Sequence, residues 1–144
     1  MHTLLATSRW AGASLHTLVT DELKPYCLRD KLRVSANGPD LTLKPQKAQL
    51  MAMALHELTT NAVKYGALSV PAGCVRVEWL IGPNGKFILR WIEMGGPTVT
   101  PPTRQGFGTR VLDGALRGQL HGASRFDWRE TGLVCEIEVE AEDL

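Results

Sequence analysis

Nothing in this chain stays apolar long enough to cross a bilayer. A spanning helix needs about 20 consecutive apolar residues, and charged or polar residues break every apolar run well short of that. No stretch has the three-part form of a secretory signal peptide, so a cytoplasmic location is expected. An excess of basic charge is also missing: 16 Lys and Arg stand against 15 Asp and Glu. A nucleic-acid footprint normally shows such an excess, and no nucleic-acid partner is expected. Cysteine is scarce. Cys27, Cys74 and Cys135 are odd in number and far apart, without a CxxC pair. That speaks against a disulfide framework or a cysteine zinc site and fits a reducing cytosol. Internal repeats and low-complexity tracts are absent as well.

What is present suits one domain. At 144 residues, a chain hides roughly 70% of its unfolded surface on folding. Residues 14–26 read as a short amphipathic helix with Leu15, Leu18, Val19 and Leu23 on its apolar face, ended by Pro25. Alternation over 31–36 reads as a strand, Asn37-Gly38-Pro39 as a turn, and Leu41 and Leu43 as a short second strand. Residues 45–67 read as a long helix. Pro45 is acceptable in its first turn, Met51, Leu55, Leu58, Ala62 and Tyr65 face the core, and Gly66 is its C-terminal stop.

Two alternating strands follow, 75–81 and 87–92, joined by the hairpin signal Gly82-Pro83-Asn84-Gly85. A Gly/Pro/Thr-rich loop runs from Met94 to Gln105. Helical spacing returns at Val111, Leu112, Ala115, Leu116 and Leu120. Two last strands are marked by Phe126 and Trp128, then by Cys135, Ile137 and Val139. The final strand decides the architecture. Its second face reads Val134, Glu136, Glu138, Glu140, and a strand with one charged face belongs to a sheet covered on one side only. The expected fold is a two-layer α/β sandwich: a mixed, mostly antiparallel sheet with about three helices on one face.

Three groups of residues carry chemical interest. In HELTTNAVKYGAL, Glu57, Asn61 and Lys64 fall within a band about 60° wide on a helix turning about 100° per residue. The apolar stripe is centred about 120° away, so this band borders the buried face. An amide oxygen suits Mg²⁺, a carboxylate can orient or deprotonate a nucleophile, and an ammonium offers a point charge to phosphate. A solvated helix face explains the same triplet. Second, Glu93 continues the phase of Phe87, Leu89 and Trp91 toward the core, where a carboxylate needs partners; a ligand amine would serve. The alternative is a strand end already reaching water before Gly95-Gly96-Pro97. Third, Gly106-Phe107-Gly108-Thr109 opens a helix, where backbone N–H groups bind phosphate; a plain loop-to-helix turn looks the same. It is neither a Walker loop nor a dinucleotide fingerprint.

The order of these groups is more specific than any one of them. From about Leu4 to Val139 the chain resembles the ATP-binding domain of sensor histidine kinases, in the GHKL (Bergerat-fold) superfamily. It closely resembles the HWE subfamily, named for a histidine in the helix motif, here His56, and a Trp-x-Glu pair, here Trp91 and Glu93 in WIEMGGP. The second glycine box is GFGTRVL. The resemblance implies a two-layer sandwich that binds ATP or ADP with Mg²⁺. It places the metal ligand on Asn61 and the acid that polarises the phosphoacceptor on Glu57. Lys64 falls near the phosphates and Tyr65 beside the nucleotide. Glu93 stands where most such kinases carry the aspartate that reads the adenine amino group, and Gly95 and Gly96 admit the backbone to the base. Gly106, Phe107, Gly108 and Thr109 lie near the phosphates, with Arg110 as a further phosphate contact.

The complete enzyme of such a family passes a γ-phosphoryl group to a histidine of its own dimerisation domain, then to an aspartate of a response-regulator receiver domain. No phosphoacceptor motif is found here, and His56 is expected to shape the site rather than accept phosphate. Residues 1–12 resemble the segment that joins the dimerisation helices, leaving 13–144 as the ATP-binding domain. Only nine residues separate Gly96 from Gly106, implying a short lid. Thr131-Gly132-Leu133 departs from the relatives' Gly-Thr-Thr pattern, so no ATP contact is assigned there. Two other readings remain: a serine kinase of the anti-sigma-factor type, and a non-catalytic scaffold that keeps the fold.

Overall fold

The computed structural model describes residues 13–26, 34–97, 122–130, 132–141 and 144. Strand β1 (Ala13–Ser14) leads straight into helix α1 (Leu15–Leu23). Ser14 caps that helix by accepting from the Thr17 amide at 3.4 Å, as a short hydroxyl side chain at an N-cap does. Leu15, Leu18, Val19 and Leu23 are buried, the four residues expected. The helix is shorter than expected, because Lys24–Tyr26 tighten into a 3-10 turn around Pro25.

Strand β2 (Val34–Asn37) precedes β3 (Thr42–Leu43) and helix α2 (Pro45–Lys64). β3 pairs antiparallel with β1 in a separate two-stranded sheet. This pairing was not foreseen, since two residues are too short for alternation to register. Pro45 occupies the first helical position. Met51, Ala54, Leu55, Leu58 and Ala62 face the core. Tyr65 does not. It is 70% exposed, because α2 ends at Lys64 and the chain leaves helical geometry at Tyr65, with φ −130°. Gly66 is not a left-handed helix stop either, having φ −111°. Its role is described below.

The main sheet has the order β2-β4-β5-β7-β6, with β4 Cys74–Ile81, β5 Lys86–Met94, β6 Ala123–Arg129 and β7 Gly132–Glu140. β2 runs parallel to β4. A parallel neighbour needs a crossover connection, and α2 supplies it. The other pairs are antiparallel. In the β4–β5 hairpin, Gly85 takes φ +77°, the left-handed position that glycine fills without strain.

Among the described residues, the sheet is covered on one face, as the last strand implied. Val75, Val77, Trp79, Phe87, Leu89, Trp91, Cys135, Ile137 and Val139 join α1 and α2 in one core. Ile81, in phase with the first three, is 44% exposed at the strand end. The opposite face carries a row of alternating charge, Glu78, Arg90, Glu136 and Arg125, set side by side by the strand register. Glu136 pairs with Arg90 at 3.0 Å and with Arg125. The helix expected over 111–120 lies outside the described residues.

Candidate functional site

The site is built where the C-terminal end of α2 meets the end of β5. Along α2, Glu57 and Asn61 are half-buried and Lys64 is exposed, so the polar band does border the apolar face. The Asn61 amide Nδ2 donates to Glu57 Oε2 at 3.4 Å, a long bond between neighbours one turn apart. With Nδ2 turned to the carboxylate, Oδ1 is the atom left to meet a cation. A hard, neutral oxygen of this kind fits Mg²⁺, which usually keeps several waters and takes only one or two protein ligands beside substrate phosphates. Among the described residues, no cluster of three or more His, Cys, Asp or Glu gathers as a self-sufficient metal cage.

Glu93 is 3% exposed, so the sheet phase, and not the nearby Gly-Gly, governs its direction. Both carboxylate oxygens have protein donors. The Ala67 backbone N–H donates to Oε1 at 3.0 Å, and the Trp91 indole Nε1 donates to Oε2 at 3.0 Å. Burial pushes the carboxyl above its ordinary value, against the opposing pull of these two bonds. Cys135, opposite Trp91 on β7, is pushed up to about 12, first by burial and then by the negative charge of Glu93 and Glu136.

Glycines make room for this arrangement. A Cβ on Gly66 would lie 2.1 Å from Glu93 Oε1, which is why glycine follows Tyr65. Gly132 takes φ +143°, and a Cβ there would sit 2.1 Å from the Glu93 carbonyl oxygen. The close approach at Gly96 is made to Ala67, whose Cα lies 2.6 Å from the position of an added Cβ. Gly96 thus lets the end of β5 approach the 3-10 turn Ala67–Ser69, while Gly95 approaches the Ala72 carbonyl.

His56 stands apart from this cluster. Its Nδ1 lies 3.2 Å from Glu22 Oε2, with the imidazole 71% exposed, so it links α2 to α1 at the surface. The structure thus brings together Glu57 with Asn61, and Trp91 with Glu93 and the residues after Tyr65. Gly106, Phe107, Gly108, Thr109 and Arg110 lie outside the described residues, as does the 1–12 segment. Sequence reasoning missed Ala67 as a donor, since a backbone N–H leaves no mark in residue type. It also missed Trp91 as the partner of Glu93, although a spacing of two on one strand face was a usable signal.

A mixed sheet with a crossover helix packed on one face is a fold this chain shares with solved histidine kinase catalytic domains. The histidine kinase domain of an Erythrobacter litoralis blue-light activated histidine kinase superposes with a TM-score of 0.74 at 14% identity, over 97% of this chain and 69% of that one. The catalytic domain of histidine kinase ThkA superposes with a TM-score of 0.64 at 14% identity, over 89% and 94%.

The chain is similar to HWE histidine kinases. The family model described as HWE histidine kinase matches residues 1–40. A blue-light-activated histidine kinase of Rhizobium johnstonii is 36% identical over 139 residues, covering 96% of this chain and 39% of the relative. One from Brucella anthropi is 36% identical over 139 residues, covering 94% and 28%. The chain therefore spans well under half the length of these relatives. No described helix is long and apolar enough to cross a membrane.

Proposed function

We propose that this chain is the nucleotide-binding part of a protein-histidine kinase, taking Mg·ATP at the end of α2. The observation that carries the reading is the Glu93 carboxylate, buried to 3% exposure under the turn that follows the Asn61-bearing helix. An ionised carboxylate has about four lone-pair sites, and the two protein donors leave capacity for the exocyclic amine of adenine. Asn61 Oδ1 would hold Mg²⁺, which supplies neutralisation of phosphate charge. Lys64 and Tyr65, both exposed at the helix end, would lie along the phosphates and beside the nucleotide. Gly95 and Gly96 would border the base. The second glycine box, Gly106 to Thr109 with Arg110, would cradle the phosphates.

In the complete kinase the γ-phosphoryl group would pass to a histidine of the dimerisation domain, joined through residues 1–12, and on to a receiver-domain aspartate. Catalysis of this type rests on positioning and charge stabilisation. Glu57 would orient the acceptor imidazole, so its part waits on that partner helix, whereas Asn61 works in this chain alone.

Calorimetry with Mg·ATP and Mg·ADP tests the reading. Wild type should bind in the micromolar-to-millimolar range, and Asn61→Ala or Asn61→Asp should abolish it. Folded wild-type protein that takes up no nucleotide with Mg²⁺ present would end the proposal. Mixed with a dimerisation domain, label should reach histidine; label on a serine would favour the anti-sigma type of kinase.

A further inference from the structure

We propose that Trp91 is a positioning residue for nucleotide: its indole N–H fixes the Glu93 carboxylate and thereby sets how tightly the site holds an adenine nucleotide. This deepens the preceding reading and rests on it. Trp91 is fully buried and Glu93 nearly so. The two lie on one face of β5, with the indole Nε1 3.0 Å from Oε2. A glutamate has one more rotatable bond than an aspartate, and ordering such a side chain costs rotamer freedom. The indole removes that freedom before any ligand arrives, which is how preorganisation raises affinity.

The second oxygen completes a chain of contacts. Oε1 accepts from Ala67 N, three residues beyond the end of α2 at Lys64. The indole, the carboxylate and the Ala67 amide therefore tie the base side of the site to the helix that carries Asn61. Gly66 has no Cβ because that carboxylate occupies the space, 2.1 Å from where a Cβ would be. Removing the indole N–H releases one oxygen while Ala67 still holds the other. The carboxylate then wavers about the position that a base amine must meet.

The surroundings of Glu93 make its protonation legible. Cys135, opposite Trp91 on β7, feels the Glu93 charge and stays neutral through ordinary pH, being pushed up to about 12. Val75 opposes it on β4, and Ala67 and Gly66 meet it from the turn; none of these side chains titrates. Lys64 and Tyr65, at the end of α2, are exposed. A protonated Glu93 turns a hydroxyl donor toward groups that are themselves donors, so nucleotide affinity falls on acidification. The indole bond favours the charged form. Without it, that fall begins at a higher pH.

The test is Trp91→Phe, which keeps a buried ring and deletes the N–H. Calorimetry with Mg·ADP from pH 5 to 8 should show affinity lowered about tenfold or more, since the bond lost is one to a charged group. The acid limb of the profile should move to higher pH, with the circular dichroism spectrum unchanged. A second measurement stands if that variant fails to fold. In wild-type protein, the Trp91 indole ¹⁵N–H resonance, assigned through bonds, should shift as Mg·ADP is added. Unchanged affinity and pH profile in Trp91→Phe overturn the positioning role while leaving the nucleotide site intact. So does an indole resonance that stays fixed through the titration. Failure of wild-type protein to bind Mg·ADP is seen before any substitution and removes the function and the positioning role together.

Discussion

Trp91 donates its indole hydrogen to Glu93 two positions along the same strand face, and both side chains are buried. Because both Glu93 oxygens face donors, glutamine is not a neutral replacement. Its amide nitrogen would have to face either the Ala67 N–H or the indole. Glu93→Gln should lose about 1–3 kcal/mol, the range for leaving a buried polar group unsatisfied. The pH dependence has a definite sign. Burial raises the folded-state pKa, so in the carboxylate range the unfolded chain releases its proton first. The contribution of Glu93 is fully present below the ordinary carboxylate value. It declines as pH rises through the raised folded value. Urea denaturation at several pH values should show that downward slope in wild type and its loss in Glu93→Gln. Equal slopes would mean that Glu93 titrates alike in both states.

The glycine substitutions should rank by what the new methyl group meets. Gly132→Ala combines φ +143° with a Cβ 2.1 Å from the Glu93 carbonyl oxygen, a backbone atom that cannot turn aside. Gly66→Ala meets the Glu93 carboxylate at the same distance, and a side chain can yield. Gly85→Ala carries φ +77° with nothing within 4 Å, so only the left-handed penalty of about 1–2 kcal/mol applies. The expected order of destabilisation is Gly132→Ala, Gly66→Ala, Gly85→Ala. The cost of Gly66→Ala should shrink in a Glu93→Ala background, because the clash partner is gone. A double-mutant cycle with no coupling between residues 66 and 93 contradicts this account.

The parts of the fold that were legible are those where burial repeats along the chain. A period of two aimed Glu93 inward and assigned the charged face of β7, and a helical period found the core side of α2. Elements that depend on distant residues left no such trace. Gly66 read as a helix stop because the carboxylate that requires it lies 27 residues on. Tyr65 read as core because the helical phase was extended past the residue where the helix ends. The β1–β3 pair is too short to show alternation, and the Glu22 partner of His56 lies 34 positions away.

Glu136 should be the acid-sensitive member of the open sheet face. Its carboxyl is held below the ordinary range, first by the hydrogen bond from Arg125, and also by Arg90 and the charges of both arginines. A lowered folded-state pKa contributes stability above the unfolded value and loses it as pH falls through the folded one. Glu136→Gln should therefore lower stability at neutral pH and reduce the loss on acidification. Salt should narrow the difference, because these arginines are exposed and screened. If the two proteins respond alike to acid and salt, the charge row is only a solvated surface.

His56 and Leu55 are adjacent on α2 and should behave very differently. His56 reaches Glu22 at 3.2 Å with its side chain 71% exposed, and the contact is ionic only when the imidazole is protonated. Exposed pairs of this kind contribute about 0–1 kcal/mol. His56→Ala should therefore stay within about 1 kcal/mol of wild type. Leu55 is 1% exposed in the core, and Leu55→Ala should cost about 2–5 kcal/mol through lost burial and the cavity left behind. Nucleotide affinity should follow neither figure directly. The His56 imidazole meets Glu22 on α1 rather than the Asn61 or Glu93 side chains, so its removal should leave Mg·ADP binding within a few-fold. A hundredfold loss in a His56→Ala protein of normal stability would show that the α1–α2 link shapes the site itself. Incubation with labelled ATP should also leave His56 unphosphorylated. It sits at the surface against Glu22 of α1, apart from the Asn61 and Glu93 groups that would hold the nucleotide.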